Sequence, residues 1–311
     1  MREGPAGVSR LSHGGSPWPV HLSLALAQAG FALFPIFGKL ALRSISPLVL
    51  AAIRVVSSAL MLEIVRRLSP EERIAPSDRG RIVLLAFLGV SFNQVLFILG
   101  LSLTTAVNTS ILISAIPVFT LAAAVLLGRE ETTPRAIVGI LLAGAGALVL
   151  LNAERFEWSS RYFRGDLLIL ANGFSYSLYL VLSRPILARY RALAFTSAVF
   201  RWGAPPIVLA AIPALLRFSP GTVSPTAWWS LGAVIVFCTV VPYLLNSWAL
   251  ARTKASRVAA YVFLQPVIAA SLAIVVLGER PGWRTAVAGA LIFGGLAVTL
   301  RPGRAAARAL P

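Results

Sequence analysis

Charge is what this sequence has least of. Of its 311 residues, 13% are Asp, Glu, Lys or Arg and 58% are hydrophobic. A water-soluble domain carries about 25% charged residues, and the few present here could not cover the surface of one. The length alone would allow two soluble domains. The mean hydropathy of +0.82 points instead to lipid as the solvent. Cysteine is nearly absent too. Cys238 stands alone inside an apolar run, which excludes an intrachain disulfide and a cysteine-based metal site and reads as an inert buried thiol. Histidine occurs only as His13 and His21, and none of the 11 acidic residues falls deep in an apolar run. Proton-driven carriers commonly hold a titratable acid or histidine inside the membrane. The pattern therefore predicts facilitated diffusion or exchange, with Glu63 and Asp166, at run ends, as the nearest exceptions. No Gly-x-x-x-x-Gly-Lys-Ser/Thr phosphate loop exists, which argues against ATP-driven pumping. No cofactor and no metal site are expected.

What the chain has in abundance is apolar runs. A helix needs about 20 mostly apolar residues to cross about 30 Å of hydrocarbon. Ten runs qualify: 20–42, 47–65, 82–103, 107–127, 136–152, 166–187, 193–216, 227–250, 256–277 and 284–300. The fold expected is an all-α polytopic membrane protein with ten transmembrane helices. The gaps are short and carry Pro, Ser, Thr or charge, as in Ser44-Ile45-Ser46-Pro47, so neighbouring helices run antiparallel. The runs are continuously apolar, whereas a membrane barrel would alternate. Residues 1–19 read as a disordered cytoplasmic tail and 301–311 as a basic cytoplasmic one. Leu24 through Ala29 resembles a signal-peptide end, but the apolar stretch continues to Leu42, which argues for a retained helix.

The net charge of +17 invites a nucleic-acid reading. The basic residues are scattered between apolar runs and form no single basic module, so no nucleic-acid partner is expected. The positive-inside bias accounts for them. With the N-terminus cytoplasmic, inside segments hold eighteen Lys and Arg and outside segments eight. Both termini are then cytoplasmic, in a bacterial inner membrane. Arg54 and Arg201 remain, and these fall inside runs two and seven.

The two halves echo each other. Pro117 and Pro266 lie 149 residues apart, as do Glu130 and Glu279. Gly100-Leu101 and Ala106 match Ala249-Leu250 and Ala255 at the same offset. Arg54 and Arg201, 147 apart, read as near-equivalent. The first repeat spans 20–152 and the second 166–300, joined by a linker at 153–165. Five helices is an odd number, so the second half enters the membrane inverted. Inverted repeats are a hallmark of secondary transporters, whose substrate site lies near the midplane between the halves.

Gly38-Lys39, Arg54, the Gly100-Leu101 and Ala249-Leu250 segments, Gly165-Asp166 with Ser175 and Tyr179, and the two proline-to-Gly-Glu segments together resemble the EamA family of the drug/metabolite transporter superfamily. The resemblance covers roughly 22–300. It implies ten helices, cytoplasmic termini, and export or exchange of small metabolites such as amino acids. Cargo varies across the family and does not carry over.

Candidate site residues are polar or aromatic side chains inside runs. They are Asn93, Gln94 and Phe97; Asn108 and Ser114; Asn172, Tyr176 and Tyr179; Tyr243, Asn246 and Trp248; and Tyr261 and Gln265. Groups three or four apart share a helix face. Amides and phenols facing lipid would go unsatisfied, so the set reads either as a central cavity lining or as interhelical hydrogen-bond glue. Arg54 and Arg201 read either as carboxylate-binding or gate-forming cations or as structural arginines. Pro117 and Pro266 could kink their helices as gates or for packing. Glu130 and Glu279 read as capping or pairing groups, and Asp166 as an N-cap for run six. The small residues from Gly139 to Gly146 and from Ala286 to Gly295 permit close helix contact.

The function expected is a secondary transporter working by alternating access on a small amino-acid-like or amphipathic metabolite. A monomer or weak homodimer among membrane lipids is expected. The alternative is an integral membrane enzyme acting on lipid or lipid-linked substrates. It would need acid/base or metal-binding residues at a membrane face, and only scattered interfacial acids are available.

Overall fold

Helix ends follow the polar gaps. In the computed structural model, which describes residues 18–70, 72–129, 134–150 and 160–300, the described part of every apolar run is mainly helical, and no strand occurs among the described residues. The first half holds α1 (Trp18–Ala41), α2 (Pro47–Arg67), α3 (Arg79–Ala86), α4 (Phe92–Leu103), α5 (Ala106–Ile113), α6 (Ile116–Leu126) and α7 (Pro134–Leu150). The second holds α8 (Arg161–Leu187), α9 (Ala192–Leu215), α10 (Pro225–Ile235), α11 (Val241–Leu250), α12 (Ala255–Ala260), α13 (Leu264–Leu277) and α14 (Trp283–Leu300). Seven helical columns among the described residues are long and apolar enough to cross a membrane. Leu60, Leu68, Leu126, Leu209, Trp229 and Val275 are exposed on the outside of the bundle, as lipid contact requires. Of the expected tails, 1–17 and 301–311 lie outside the described residues, and Trp18 and Pro19 begin α1; of the expected linker, 153–159 lie outside and 161–165 form the first turn of α8, so the linker is shorter than expected.

The repeat extends to backbone irregularities that no composition reveals. Between α3 and α4 the helix widens into a π turn at Phe87–Ser91, and between α10 and α11 it does so at Val236–Val240. The two turns are 149 residues apart, the spacing of the prolines. Columns four and nine are also each broken once. Ser114 and Ala115 separate α5 from α6, and a 3₁₀ turn at Tyr261–Phe263 separates α12 from α13. Pro117 and Pro266 follow these breaks by one to three residues, where a missing backbone N–H costs least. The prolines thus mark helix breaks. Gly128 and Gly278 end the following helices at φ +64° and +67°, a left-handed conformation that glycine adopts without a Cβ penalty.

The halves exchange their first helices. α1 packs mainly on α10, α11 and α13, whereas α8 packs on α4, α5 and α6. α2 lies against α9, and α7 against α14. Small residues make the close approaches. A Cβ on Gly165 would lie 2.8 Å from the Thr104 backbone nitrogen, and one on Gly146 would lie 2.8 Å from the Ala288 carbonyl.

Two expectations need correction. α8 begins at Arg161, five residues before the apolar run, so Asp166 lies within the helix and does not cap it. Arg54 and Arg201 are not equivalent. The starts of α2 and α9 are 145 residues apart, and at that offset Arg54, Val55, Ser58 and Leu62 correspond to Val199, Phe200, Gly203 and Ile207, all buried. Arg201 therefore lies two residues, or roughly 200° of helix rotation, away from the Arg54 face, and it is exposed.

Backbone contact at Gly165 leaves no room to add even a methyl group. Gly165→Ala is expected to destabilise the detergent-solubilised protein by about 1–3 kcal/mol, as overpacking does, and a thermal unfolding curve measures it.

Candidate functional site

Arg54 is 1% exposed. Its Nε donates to Thr239 Oγ1 at 2.7 Å, its Nη1 donates to Gln94 Oε1, and its guanidinium lies 3.8 Å over the Phe34 ring. No carboxylate contacts it among the described residues. Gln94 Nε2 donates to the Tyr243 hydroxyl at 2.7 Å, and that hydroxyl donates to the Gly89 carbonyl at 3.0 Å. Gln94 and Tyr243 are 149 residues apart. Each is thus the other's counterpart in the repeat, and two counterparts in contact must straddle the pseudo-two-fold axis. The Arg54 cluster marks that axis.

The π turn of the first half makes this contact possible. Widening the helix releases carbonyls from the regular ladder. Leu88 O accepts from Ser175 Oγ at 2.7 Å and Gly89 O from Tyr243, both from the other half. Rings enclose the cluster. Phe31 and Phe200 meet Tyr243 edge-on at 5.5 and 4.9 Å, and Phe34 lies 4.6 Å from Phe97.

A second group adjoins it. Asn93 and Asn172 exchange bonds, each amide donating to the other's backbone carbonyl at 3.2 and 2.9 Å. Asn246, one turn beyond Tyr243, donates its amide to Tyr176 OH at 3.1 Å, and Tyr176 stacks on Tyr179 at 5.8 Å. Asn246 is 3% exposed, and its Oδ1 has no hydrogen-bond partner. A buried orphan acceptor carries a cost of about 1–3 kcal/mol. Gln265 bonds Gln28 at 2.5 Å, and Tyr261 meets His21.

The structure does not bring every candidate together. Ser114 bonds only its own helix, at Ile111 O. Trp248 faces Arg252, whose guanidinium lies 4.0 Å from the ring. Arg201 lines a separate cavity beside α2 and α3. Asn108 belongs to one end of the bundle. There Asp166, 2% exposed, accepts from Thr104 Oγ1 at 2.5 Å and from Asn108 Nδ2 at 3.4 Å. Thr285 donates to Asn108 Oδ1 at 3.4 Å. Glu279 accepts from the N–H groups of Ala106 and Val107, each at 2.8 Å. It caps a helix of the opposite half, where a carboxylate also complements the helix dipole. Glu130 lies outside the described residues.

The opposite end repeats part of this arrangement. Lys39 donates to the Thr104 carbonyl, and Arg184 donates to the Thr253 carbonyl at 3.1 Å. The hydroxyls differ. Thr104 finds Asp166, whereas Thr253 Oγ1 is buried without a partner. Sequence reasoning passed over Thr104, Thr239, Gln28 and Gly89. Gln28 and Thr239 were visible as polar residues within runs, but the Gly89 carbonyl had no sequence signal.

The contacts at Asp166 tie the α4–α5 corner to the second half. In a Cys238→Ala background, a cysteine placed at Thr285 is expected to react with maleimide about tenfold faster once Asp166→Ala is added, the effect of roughly 1.4 kcal/mol. Labelling rates measure it.

The family that matches is described as the EamA-like transporter family, over residues 18–152 and again over 163–301. A protein named as an uncharacterised transporter of Archaeoglobus fulgidus is 30% identical over 285 residues, covering 90% of this chain and 96% of its own. A probable terminal-alkyne amino-acid exporter of Streptantibioticus cattleyicolor is 31% identical over 221 residues, 70% of this chain and 72% of its own. A solved crystal structure superposes with a TM-score of 0.65 at 20% identity, over 90% of this chain and 97% of that one. It shares the fold.

Proposed function

The chain belongs to the EamA-like transporter family, and from that premise we propose that it exports or exchanges a small carboxylate-bearing, amino-acid-like metabolite by alternating access. The observation that carries this reading is Arg54, a buried cation without a carboxylate among the described residues, on the axis where the halves meet. A charge at such depth is costly unless compensated. A substrate carboxylate would supply the countercharge as a charge-assisted bond to the guanidinium. Asn246 Oδ1 would receive a substrate ammonium, and the stacked Tyr176 and Tyr179 would face its apolar part. Gln94, Asn93, Asn172, Phe97 and Tyr243 complete the lining, with Gln265 and Tyr261 adjoining. The exporter name of the Streptantibioticus relative supports the cargo class.

Alternating access follows from near-equivalent halves that exchange conformations. We place the cluster around Asp166 and Glu279 at the outer gate and the Thr253 corner at the inner one. This rests on ten crossings, with both termini cytoplasmic by the positive-inside bias. The repeats divide between α7 and α8, and the working unit is a monomer or weak homodimer. We read the chain as a carrier and not an enzyme because its described acids are committed to contacts. Glu63 and Asp78 pair with arginines, Glu72 and Glu279 accept backbone N–H groups, and Asp166 holds Thr104.

Purified protein in liposomes loaded with labelled amino acids tests the proposal. Arg54→Gln is expected to slow exchange at least tenfold, with Arg54→Lys intermediate; wild-type rates in both would overturn the assignment. Exchange is further expected to persist when the pH gradient is collapsed. If it stops, Asp166, buried with only neutral donors, becomes the proton carrier, and Asp166→Asn would then lose the gradient dependence.

A further inference from the structure

A cavity of about 410 Å³ lies between α2, α3 and α9, at the end of the bundle where Asp78 meets Arg189. Ligand pockets run from roughly 300 to 1,000 Å³. Arg66, Arg73, Arg79 and Arg201 line it, with Glu63 and Glu72 as the two carboxylates. Both carboxylates are engaged. Glu63 accepts from Arg66 at 2.7 and 2.9 Å, from Arg67 at 3.1 Å and from Ser197 at 3.1 Å. Glu72 accepts from the Arg191 backbone N–H at 2.9 Å.

Arg79 and Arg201 are different. Neither guanidinium makes a hydrogen bond or ion pair with any described residue. Arg201 lies about 14 Å along α9 from its first residue, Ala192, at 1.5 Å per residue. A cation that far from a helix end is costly without an anion or water. Trp202 beside it is 44% exposed. Ile82, Ala194 and Ala198 add an apolar wall. No side-chain hydrogen bond among the described residues joins them to Arg54, Gln94 or Tyr243.

We propose that this cavity binds a phosphate-bearing anion, the chemistry shared by an anionic phospholipid headgroup and free inorganic phosphate. Guanidinium forks match phosphate oxygens bidentately, and two forks here have no hydrogen-bond or ion-pair partner among the described residues. Basic pockets between membrane helices on the cytoplasmic side take anionic headgroups. The positive-inside bias puts this end of the bundle on that side, and the apolar wall gives an acyl chain a path out. The site is independent of the transported substrate.

Full-length protein in neutral detergent is titrated with dioctanoyl phosphatidylglycerol, with the net-neutral dioctanoyl phosphatidylcholine, and with inorganic phosphate, following the unfolding temperature. Saturable stabilisation by phosphatidylglycerol is expected, with at least tenfold weaker apparent affinity in Arg79→Gln and in Arg201→Gln. Arg217→Gln, outside the cavity, is expected to bind as wild type. Saturation by phosphatidylglycerol alone identifies a lipid headgroup, and equal saturation by inorganic phosphate identifies the free anion. If one glutamine variant does not fold, the other, on a different helix, still decides. Absence of saturation with both anions, equal response to phosphatidylcholine, or undiminished affinity in the folded variants overturns the proposal.

Discussion

The bundle is organised around one guanidinium that meets no carboxylate among the described residues. Arg54 is held by Gln94, Thr239 and the Phe34 ring, all neutral, and Gln94 passes the contact on to Tyr243. Charge of this kind is stabilised by dipoles and a ring face, an arrangement that leaves it able to attract an anion. Because Gln94 and Tyr243 are repeat counterparts, the same contact also joins the halves at their axis. Under the proposed function, binding and the coupling of the halves share atoms. An occupant that draws Arg54 away from Gln94 would loosen the contact that spans the two halves.

Much of this was legible in the sequence, and the residues show why some was not. The apolar runs located the helices to within a few residues in most cases, since lipid imposes their length. The 149-residue echo located the prolines, and the π turns later proved to share it. Offset reasoning failed at Arg54 and Arg201. The spacing within the repeat changes from 145 to 149 between the second column and the third, and two residues on a helix reverse a face. Much of the polar set meets at or beside the Arg54 cluster, but Ser114 bonds its own helix, Trp248 faces Arg252 at a helix end, Arg201 lines a peripheral cavity, Asn108 lies at one end of the bundle, and Tyr261 meets His21 near the start of α1. The Leu88 and Gly89 carbonyls were illegible, because the backbone has the same atoms everywhere and only the π turn frees these two.

The ends of the bundle are alike in plan and unlike in detail. At each, a cation from the first helix of a half reaches a threonine carbonyl at a corner between columns. At one, Asp166, Asn108 and Glu279 add bonds between the halves; at the other, Thr253 keeps an unanswered hydroxyl. Identical halves would make the two openings equal in energy. In the proposed alternating-access cycle, side-chain differences of this size, about 1 kcal/mol per hydrogen bond, would be enough to bias which face opens while leaving the shared backbone plan intact.

The exchange of first helices between halves also bears on how the chain is made. α1 is synthesised first, yet the helices it mainly packs against begin at Pro225. At translation rates of about 5–20 residues per second, α1 waits on the order of ten seconds or more in the membrane before its partners exist. Through that interval its buried face, with Gln28 and the Gly30 notch that receives Pro242, must be sheltered by lipid, by the insertion machinery or by transient neighbours. Neither half can complete its packing alone. Assembly is therefore a late event, and a chain truncated within the second half would leave even its earliest helix without its main partners.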